Sequence, residues 1–351
     1  MKDIINILVV EDSSVVRDFL VFILSSEPDM NVIGTAANGR EAVEFVKRKK
    51  PDLITMDIEM PVMNGMEATR EIMSSIPVPI IIVTSSYSQS EVEKTYKAID
   101  AGALAILAKP NGIGHKDFEK NRKELIKIVR VMSEVKLVTR KSKFSKVVQE
   151  TTINKPAVDI DESKINYKII AIGVSTGGPQ VLQKILSALP ASFNIPIVIV
   201  QHIPPGFMEG MVEWLNGCTA LDVSIAKDKE ELKGGNIYFC PPEYHLGIDN
   251  KMRVELKEDA PGYNIKPSVS YMYRSVGKHF EKKAVGVLLT GMGKDGAEEL
   301  AMIRERGGLT IAQDEESSVV YGMPGEAAKL GACKYIMSPD KIVEKLISLN
   351  K

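Results

Sequence analysis

The chain has 351 residues, 44% of them hydrophobic and 26% charged, which is enough for two domains with full-sized cores and ordinary for soluble globular proteins. With 45 Lys+Arg against 46 Asp+Glu the formal net charge is −1, so no global field draws the chain to nucleic acid or a membrane surface, and partners must be recognised locally. Cys218, Cys240 and Cys333 are odd in number, far apart and without C-x-x-C spacing, which points to reduced thiols in the cytoplasm and away from a zinc site.

The N-terminal run Ile4–Val10 breaks into Glu11 and Asp12 without a cleavage-like segment. No stretch approaches the roughly 18 to 20 apolar residues that span a bilayer, so a protein that is not membrane-inserted is expected. Through about residue 110, short β-branched runs alternate with amphipathic stretches, the pattern of parallel strands joined by crossover helices. Five strands are predicted, at Ile4 to Val10, Val32 to Ala36, Leu53 to Asp57, Pro79 to Thr84 and Ala105 to Leu107. Asp12, Asp57 and Thr84 then fall at carboxyl ends of strands, with Lys109 just beyond another, where an open α/β sheet places its ligand crevice. Strand-end acids can simply cap the next helices. Gathered on one edge, however, carboxylates stay ionised together only beside a cation, and an all-oxygen ligand set suits Mg2+.

Glu11-Asp12, the run Asp57-Ile58-Glu59-Met60-Pro61-Val62-Met63-Asn64-Gly65, Thr84-Ser85 and Lys109-Pro110 resemble the response-regulator receiver pattern. The resemblance implies a flavodoxin-like α/β fold with Asp57 as phosphoacceptor. It further implies Mg2+ held by Glu11, Asp12, Asp57 and the backbone carbonyl of Glu59, and phosphoryl oxygens bound by Thr84 and Lys109. Two positions depart from the pattern. Glu11 replaces the commoner aspartate, and Ile106 stands three before the lysine, where many receivers carry a switching aromatic.

Lys116 to Leu137 reads as a final helix with Leu125, Ile128, Val129 and Met132 on one face. Periodicity is then lost to about residue 165, across a basic part (Arg140, Lys141, Lys143, Lys146) and an acidic part (Asp159, Asp161, Glu162). Without aromatic interleaving this reads as a solvated linker rather than a nucleic-acid-binding run. The domains expected are 1–137, a linker over 138–165, and a second α/β domain over 166–351. Strands of the second domain are predicted at Lys168 to Ile172, Ile197 to Gln201, Ile237 to Cys240, Val285 to Thr290 and Leu309 to Gln313.

Gly173-Val174-Ser175-Thr176-Gly177-Gly178 follows the first of these strands and precedes a helix-like stretch, which sets Ser175 on a G-x-S-x-G turn. The turn reads equally as a nucleophile elbow or as a phosphate-binding glycine turn. A serine nucleophile needs a base, and of four histidines only His202 directly follows a strand, on the edge that also carries Ser175. An orienting carboxylate is offered by Asp295, in the loop Thr290-Gly291-Met292-Gly293-Lys294-Asp295-Gly296, with Asp314 as competitor. The order Ser, His, Asp differs from that of α/β-hydrolases. Gly291-x-Gly293-x-x-Gly296, with Asp314 after the next strand, is also a dinucleotide-binding fingerprint, but only 37 residues follow Asp314, too few to complete that fold.

These segments, with Gln201-His202-Ile203-Pro204-Pro205-Gly206-Phe207, Pro267-Ser268-Val269 and the run Gln313 to Pro324, resemble the catalytic domain of the CheB chemotaxis methylesterases. Ser270 departs from the family, which is expected to carry an aspartate there. The resemblance implies a phosphorylation-regulated protein-glutamate methylesterase, and a protein-glutamine glutaminase, with Ser175, His202 and Asp295 as nucleophile, base and orienting acid. Thr176 and Met292 would lie near the oxyanion, and the esterase chemistry would need no cofactor. It also implies methyl-accepting chemoreceptors as substrates, a chemotaxis histidine kinase as phosphodonor, and a receiver that covers Ser175 until Asp57 is phosphorylated. The competing class is a non-catalytic signalling adaptor.

Overall fold

All six positions of Ile169–Val174 are buried, as are all five of Ile197–Gln201, Ala284–Leu288 and Leu309–Gln313. Near-continuous apolar runs of this kind are covered on both faces and belong to parallel sheets flanked by helices. The computed structural model describes residues 4–84, 89–135, 137, 165–204 and 206–350. The chain divides into two compact units, Met1–Ser145 and Lys146–Lys351. Apart from Ile165, the expected linker lies outside the described residues.

The first unit runs β1 (Ile5–Val10), α1 (Ser14–Ser25), β2 (Met30–Ala36), α2 (Gly39–Arg48), β3 (Leu53–Met56), α3 (Gly65–Ser75), β4 (Ile80–Thr84), α4 (Gln89–Asp100), β5 (Ala105–Ala108) and α5 (Phe118–Met132). Its five strands are parallel in the order β2-β1-β3-β4-β5, so the five predicted strands are all present. The strand order reverses between β1 and β3, and that switch point is where Glu11, Asp12 and Asp57 emerge. Asn64 starts α3 with a capping box closed by Glu67, a device worth about 1 kcal/mol. The last helix keeps its whole apolar stripe but is shorter than the expected Lys116 to Leu137. Ser133 Oγ donates to the Arg130 carbonyl at 2.8 Å, a side-chain bond that competes with continuation of the helix.

The second unit runs β6 (Ile169–Val174), α6 (Gly178–Leu186), β7 (Ile197–Gln201), α7 (Met208–Asn216), β8 (Asp222–Ile225), β9 (Asn236–Phe239), β10 (His245–Ile248), β11 (Val254–Lys257), α8 (Val269–Phe280), β12 (Ala284–Leu288), α9 (Ala297–Glu305), β13 (Leu309–Gln313), α10 (Met323–Lys329), β14 (Tyr335–Met337) and α11 (Pro339–Leu349). Seven strands form one parallel sheet in the order β14-β13-β12-β6-β7-β9-β8, with β10 and β11 as a separate antiparallel pair. Helix α6 packs with α7 and α11, and α9 packs with α8 and α10. The order reverses between β6 and β12, so the crevice of this doubly wound sheet opens beyond Val174 and Leu288. Strands β8, β10, β11 and β14 are absent from the sequence expectation. Each has three or four residues, too few for a period to show.

Candidate active site

Ser175 leaves β6 at the switch point. Its N–H donates to the Thr290 carbonyl at 3.0 Å, and its carbonyl accepts from Gly178 N at 2.9 Å as the chain turns into α6. The left-handed residue of the turn is Gly177, at φ 78°. Ser175 is not among the residues with positive φ, so the strained serine of a hydrolase elbow is not reproduced and the glycine absorbs the bend. The neighbouring strand delivers His202, whose N–H donates to the Val174 carbonyl at 3.0 Å. Nucleophile and base candidates therefore each stand one residue beyond the last paired positions of adjacent strands, Val174 and Gln201.

Across the crevice, His202 Nε2 lies 3.0 Å from Asp295 Oδ2. The Asp295 carboxylate also accepts from Ser268 Oγ at 3.0 Å, Val269 N at 2.8 Å and Ser270 N at 2.9 Å. Those amides open α8, whose N-cap is Ser268, so the carboxylate sits on a helix N-terminus with its orphan donors and positive dipole end. Burial opposes ionisation of Asp295, but the hydrogen bond and charge of His202, with Ser270 adding to them, outweigh it and hold the carboxyl at about 2. An ionised carboxylate only accepts, so Nε2 donates its N–H to Asp295, and Nδ1 is the ring nitrogen outside that contact. Asp314 is occupied elsewhere, accepting from Ser317 N at 3.0 Å and from Ser317 Oγ. Of the two candidate acids, only Asp295 reaches His202.

Buried Thr290 joins these parts. Its N–H donates to Gln313 Oε1 at 2.8 Å, its Oγ1 donates to the Thr176 carbonyl at 2.9 Å, and Oγ1 accepts from Val320 N at 2.9 Å. Next to it, Gly291 has no room for a side chain, because a Cβ there would stand 2.7 Å from that of Ser175 and 2.5 Å from Met323 Sδ. Gly291 N and O bond residues 320–323, which fixes the following Met292. Among the described residues, neither Thr176 N–H nor Met292 N–H has a protein acceptor. Both amides remain available where an oxyanion could form.

The other histidines take no part in this arrangement. His245 is buried in β10 against the rings of Tyr263 and Tyr271, at 5.8 and 5.2 Å, and burial pushes its pKa down. His115 is exposed, and His279 lies in the last turn of α8.

In the first unit, ligand oxygens of Glu11, Asp12 and Asp57 lie within 4.8 Å of one another. Lys109 Nζ stands 2.9 Å from Asp57 Oδ2 and 3.1 Å from Glu11 Oε1. It also forms an ion pair with Glu11 Oε2 at 2.8 Å, outside hydrogen-bond geometry. Burial raises the carboxyl pKa of both Glu11 and Asp57 against the opposing pull of Lys109. For Lys109, burial works downward, yet Glu11 and Asp57 outweigh it and the ammonium is stabilised. Three carboxylates crowded within 4.8 Å, those of Glu11 and Asp57 buried, fit an oxygen-seeking cation. Thr84 ends β4 beside Lys109, whose N–H donates to its carbonyl at 2.9 Å. Glu59 lies in the loop after β3, with its side chain paired to Lys94.

Residues 170–346 match the family described as CheB methylesterase, and residues 7–116 match the response regulator receiver domain. The chain belongs to the CheB methylesterase family. It is 46% identical over 351 residues to a protein-glutamate methylesterase/protein-glutamine glutaminase of Nitrosospira multiformis, covering 98% of this chain and 97% of that protein. With the Thermotoga maritima protein of the same description the identity is 39% over 349 residues, covering 99% and 98%. The crystal structure of the Thermotoga maritima CheB methylesterase catalytic domain is 39% identical, with a TM-score of 0.51 over 53% of this chain and all of that one.

In this CheB-family chain the glycine run Gly291 to Gly296 serves to press against Ser175 and present Asp295, so it does not make a dinucleotide site. Sequence reasoning missed Gln201, Ser268 and Thr290 as parts of the site. Ser268 was accessible in principle, since a serine ahead of Val269-Ser270-Tyr271 is an N-cap signal. No helix among the described residues is long and apolar enough to cross a membrane.

Proposed function

We propose that this enzyme is a serine hydrolase that demethylates glutamate γ-methyl esters on methyl-accepting chemoreceptors, and deamidates receptor glutamines by the same steps. The 3.0 Å contact of His202 Nε2 with Asp295 carries the reading, because it leaves Nδ1 to accept a proton, on a residue that follows β7 as Ser175 follows the adjacent β6. Nδ1 takes the Ser175 proton as Oγ bonds to the γ-carbonyl carbon, and Asp295 steadies the imidazolium. Thr176 and Met292 N–H groups receive the developing oxyanion. Collapse expels methoxide, which leaves as methanol with the proton from His202. Water, deprotonated by His202, then hydrolyses the glutamyl-Ser175 ester to glutamate and free serine. With a glutamine amide, ammonia leaves instead. The chemistry needs no cofactor.

Asp57 is the phosphoacceptor for a chemotaxis histidine kinase, and Lys109 and Thr84 bind the phosphoryl oxygens. Mg2+ held by Glu11, Asp12, Asp57 and the Glu59 carbonyl would offset the charge of donor and acceptor when bound. Phosphorylation adds ~1 negative charge and three acceptor oxygens at Lys109 and Thr84, which relieves a restraint of the esterase by the receiver. Ile106 at the usual aromatic position means that Thr84 and Lys109 carry the switch here without an aromatic rotamer.

The site assignment is tested with a fluorophosphonate probe and peptide mass spectrometry. Labelling is expected at Ser175, and it should be lost in His202→Ala. Labelling at another residue, or at an unchanged rate in His202→Ala, would contradict the assignment.

A further inference from the structure

Strand pairing between β6 and β7 ends at Val174 and Gln201, and one more ladder bond, His202 N to the Val174 carbonyl at 3.0 Å, closes it. Beyond that point the chains diverge, one into the Ser175 turn and the other toward Pro204, which has no N–H to continue a ladder. Yet this is where nucleophile and base must hold a fixed separation. Gln201 fills the gap. Its carboxamide is buried, 2% exposed, and its Nε2 donates to the Ser175 carbonyl at 2.9 Å and to the His202 carbonyl at 2.8 Å.

We infer that Gln201 is a positioning residue for the reaction, a side-chain clasp that replaces the sheet ladder between Ser175 and His202. The inference rests on the roles proposed above for those two residues. Two carbonyl acceptors use both N–H donors of one amide nitrogen, so the chemistry selects glutamine. Glutamate has the same shape but no donor when ionised, and methionine has the length with none. The arrangement also carries a penalty: Gln201 Oε1 is buried without a hydrogen-bond partner, a feature that core packing alone gives no reason to keep. Gly178 makes room for this oxygen, since a Cβ there would lie 2.0 Å from Oε1. Misplacing reacting atoms by about 1 Å costs on the order of 100-fold in rate.

Two full-length variants break the clasp from opposite sides. Gln201→Met removes the donors, and Gly178→Ala displaces the carboxamide while leaving it intact. Each is expected to lower kcat for ester hydrolysis by about 10- to 100-fold with KM within about twofold, and to slow fluorophosphonate labelling of Ser175 in parallel. In a Gln201→Ala background, Gly178→Ala is expected to cost much less than in the parent, leaving only its second contact, with Val174 Cγ2 at 2.8 Å, because its larger effect passes through Gln201. Folded variants that keep kcat, or that lose activity through KM alone, would overturn the inference. If Gln201→Met does not fold, Gly178→Ala decides it, and failure of both to fold would mark Gln201 as structural and overturn it equally. Ser175→Ala is run alongside. Retained activity there would place the failure in the choice of nucleophile rather than in Gln201.

Discussion

His202 bonds Asp295 through Nε2, at 3.0 Å, which leaves Nδ1 as the ring nitrogen outside that contact. The usual serine triad engages its carboxylate through Nδ1. The inverted ring follows from where each residue emerges: His202 leaves β7, while Asp295 is carried across by the loop after β12 and pinned to the start of α8.

Replacing this carboxylate should leave the ring without its anionic partner and the α8 amides with one acceptor fewer. Asp295→Asn is expected to lower kcat by about 1,000- to 10,000-fold, the scale of tautomer loss in a triad. Steady-state hydrolysis on protein checked for folding by circular dichroism measures this. A loss under about tenfold would remove Asp295 from the reaction.

Asp295 also ties stability to pH. Its carboxyl is held at about 2 in the folded chain, below the ~3.9 of an unfolded aspartate. A depressed folded value means that the contribution is fully present above pH ~4 and is lost as pH falls through about 2, with a size on the order of 2 kcal/mol. Denaturant unfolding of the second unit between pH 5 and 2 should therefore show a steeper acid loss for the parent than for Asp295→Asn. Parallel curves would contradict this.

In the receiver the sign is opposite. Burial raises the Glu11 and Asp57 carboxyl pKa values, so their ionisation weakens the folded state as pH rises through the carboxyl range. Asp57→Asn is expected to raise the receiver's melting temperature by a few degrees in chelator at neutral pH, about 1 kcal/mol. Millimolar Mg2+ should shrink the difference by stabilising the parent. No rise in chelator would count against a crowded acidic site.

The unit Lys146–Lys351 has its own core, and the catalytic domain of the Thermotoga maritima relative forms a structure alone. Removing residues 1 to about 140 should then raise ester hydrolysis ~5- to 150-fold over the unphosphorylated chain, the usual range for coupled sites. Rates measured at equal folded concentration test it. An isolated unit no faster than the full chain would show that the receiver imposes no restraint.

The parts of this site legible in the sequence share one property: Asp57, Ser175 and His202 each follow a strongly apolar strand, and parallel sheets put function at those ends. Spacing left Asp314 as a competitor to Asp295, since both follow buried strands, and the positions of Ser317 and α8 show which one meets His202. Thr290 and Gln201 escaped because their roles consist of bonds to backbone carbonyls and amides contributed by distant elements, which no local spacing records. Edge strands such as Tyr335–Met337 were missed for being only three residues long.

The central claim, that Ser175 carries acyl transfer from glutamyl methyl esters, is tested most directly by methanol release from methylated receptor membranes. The parent chain is expected to release methanol faster after phosphodonor treatment, and Ser175→Ala to release none above background. No methanol from the parent, or undiminished release from Ser175→Ala, would contradict it.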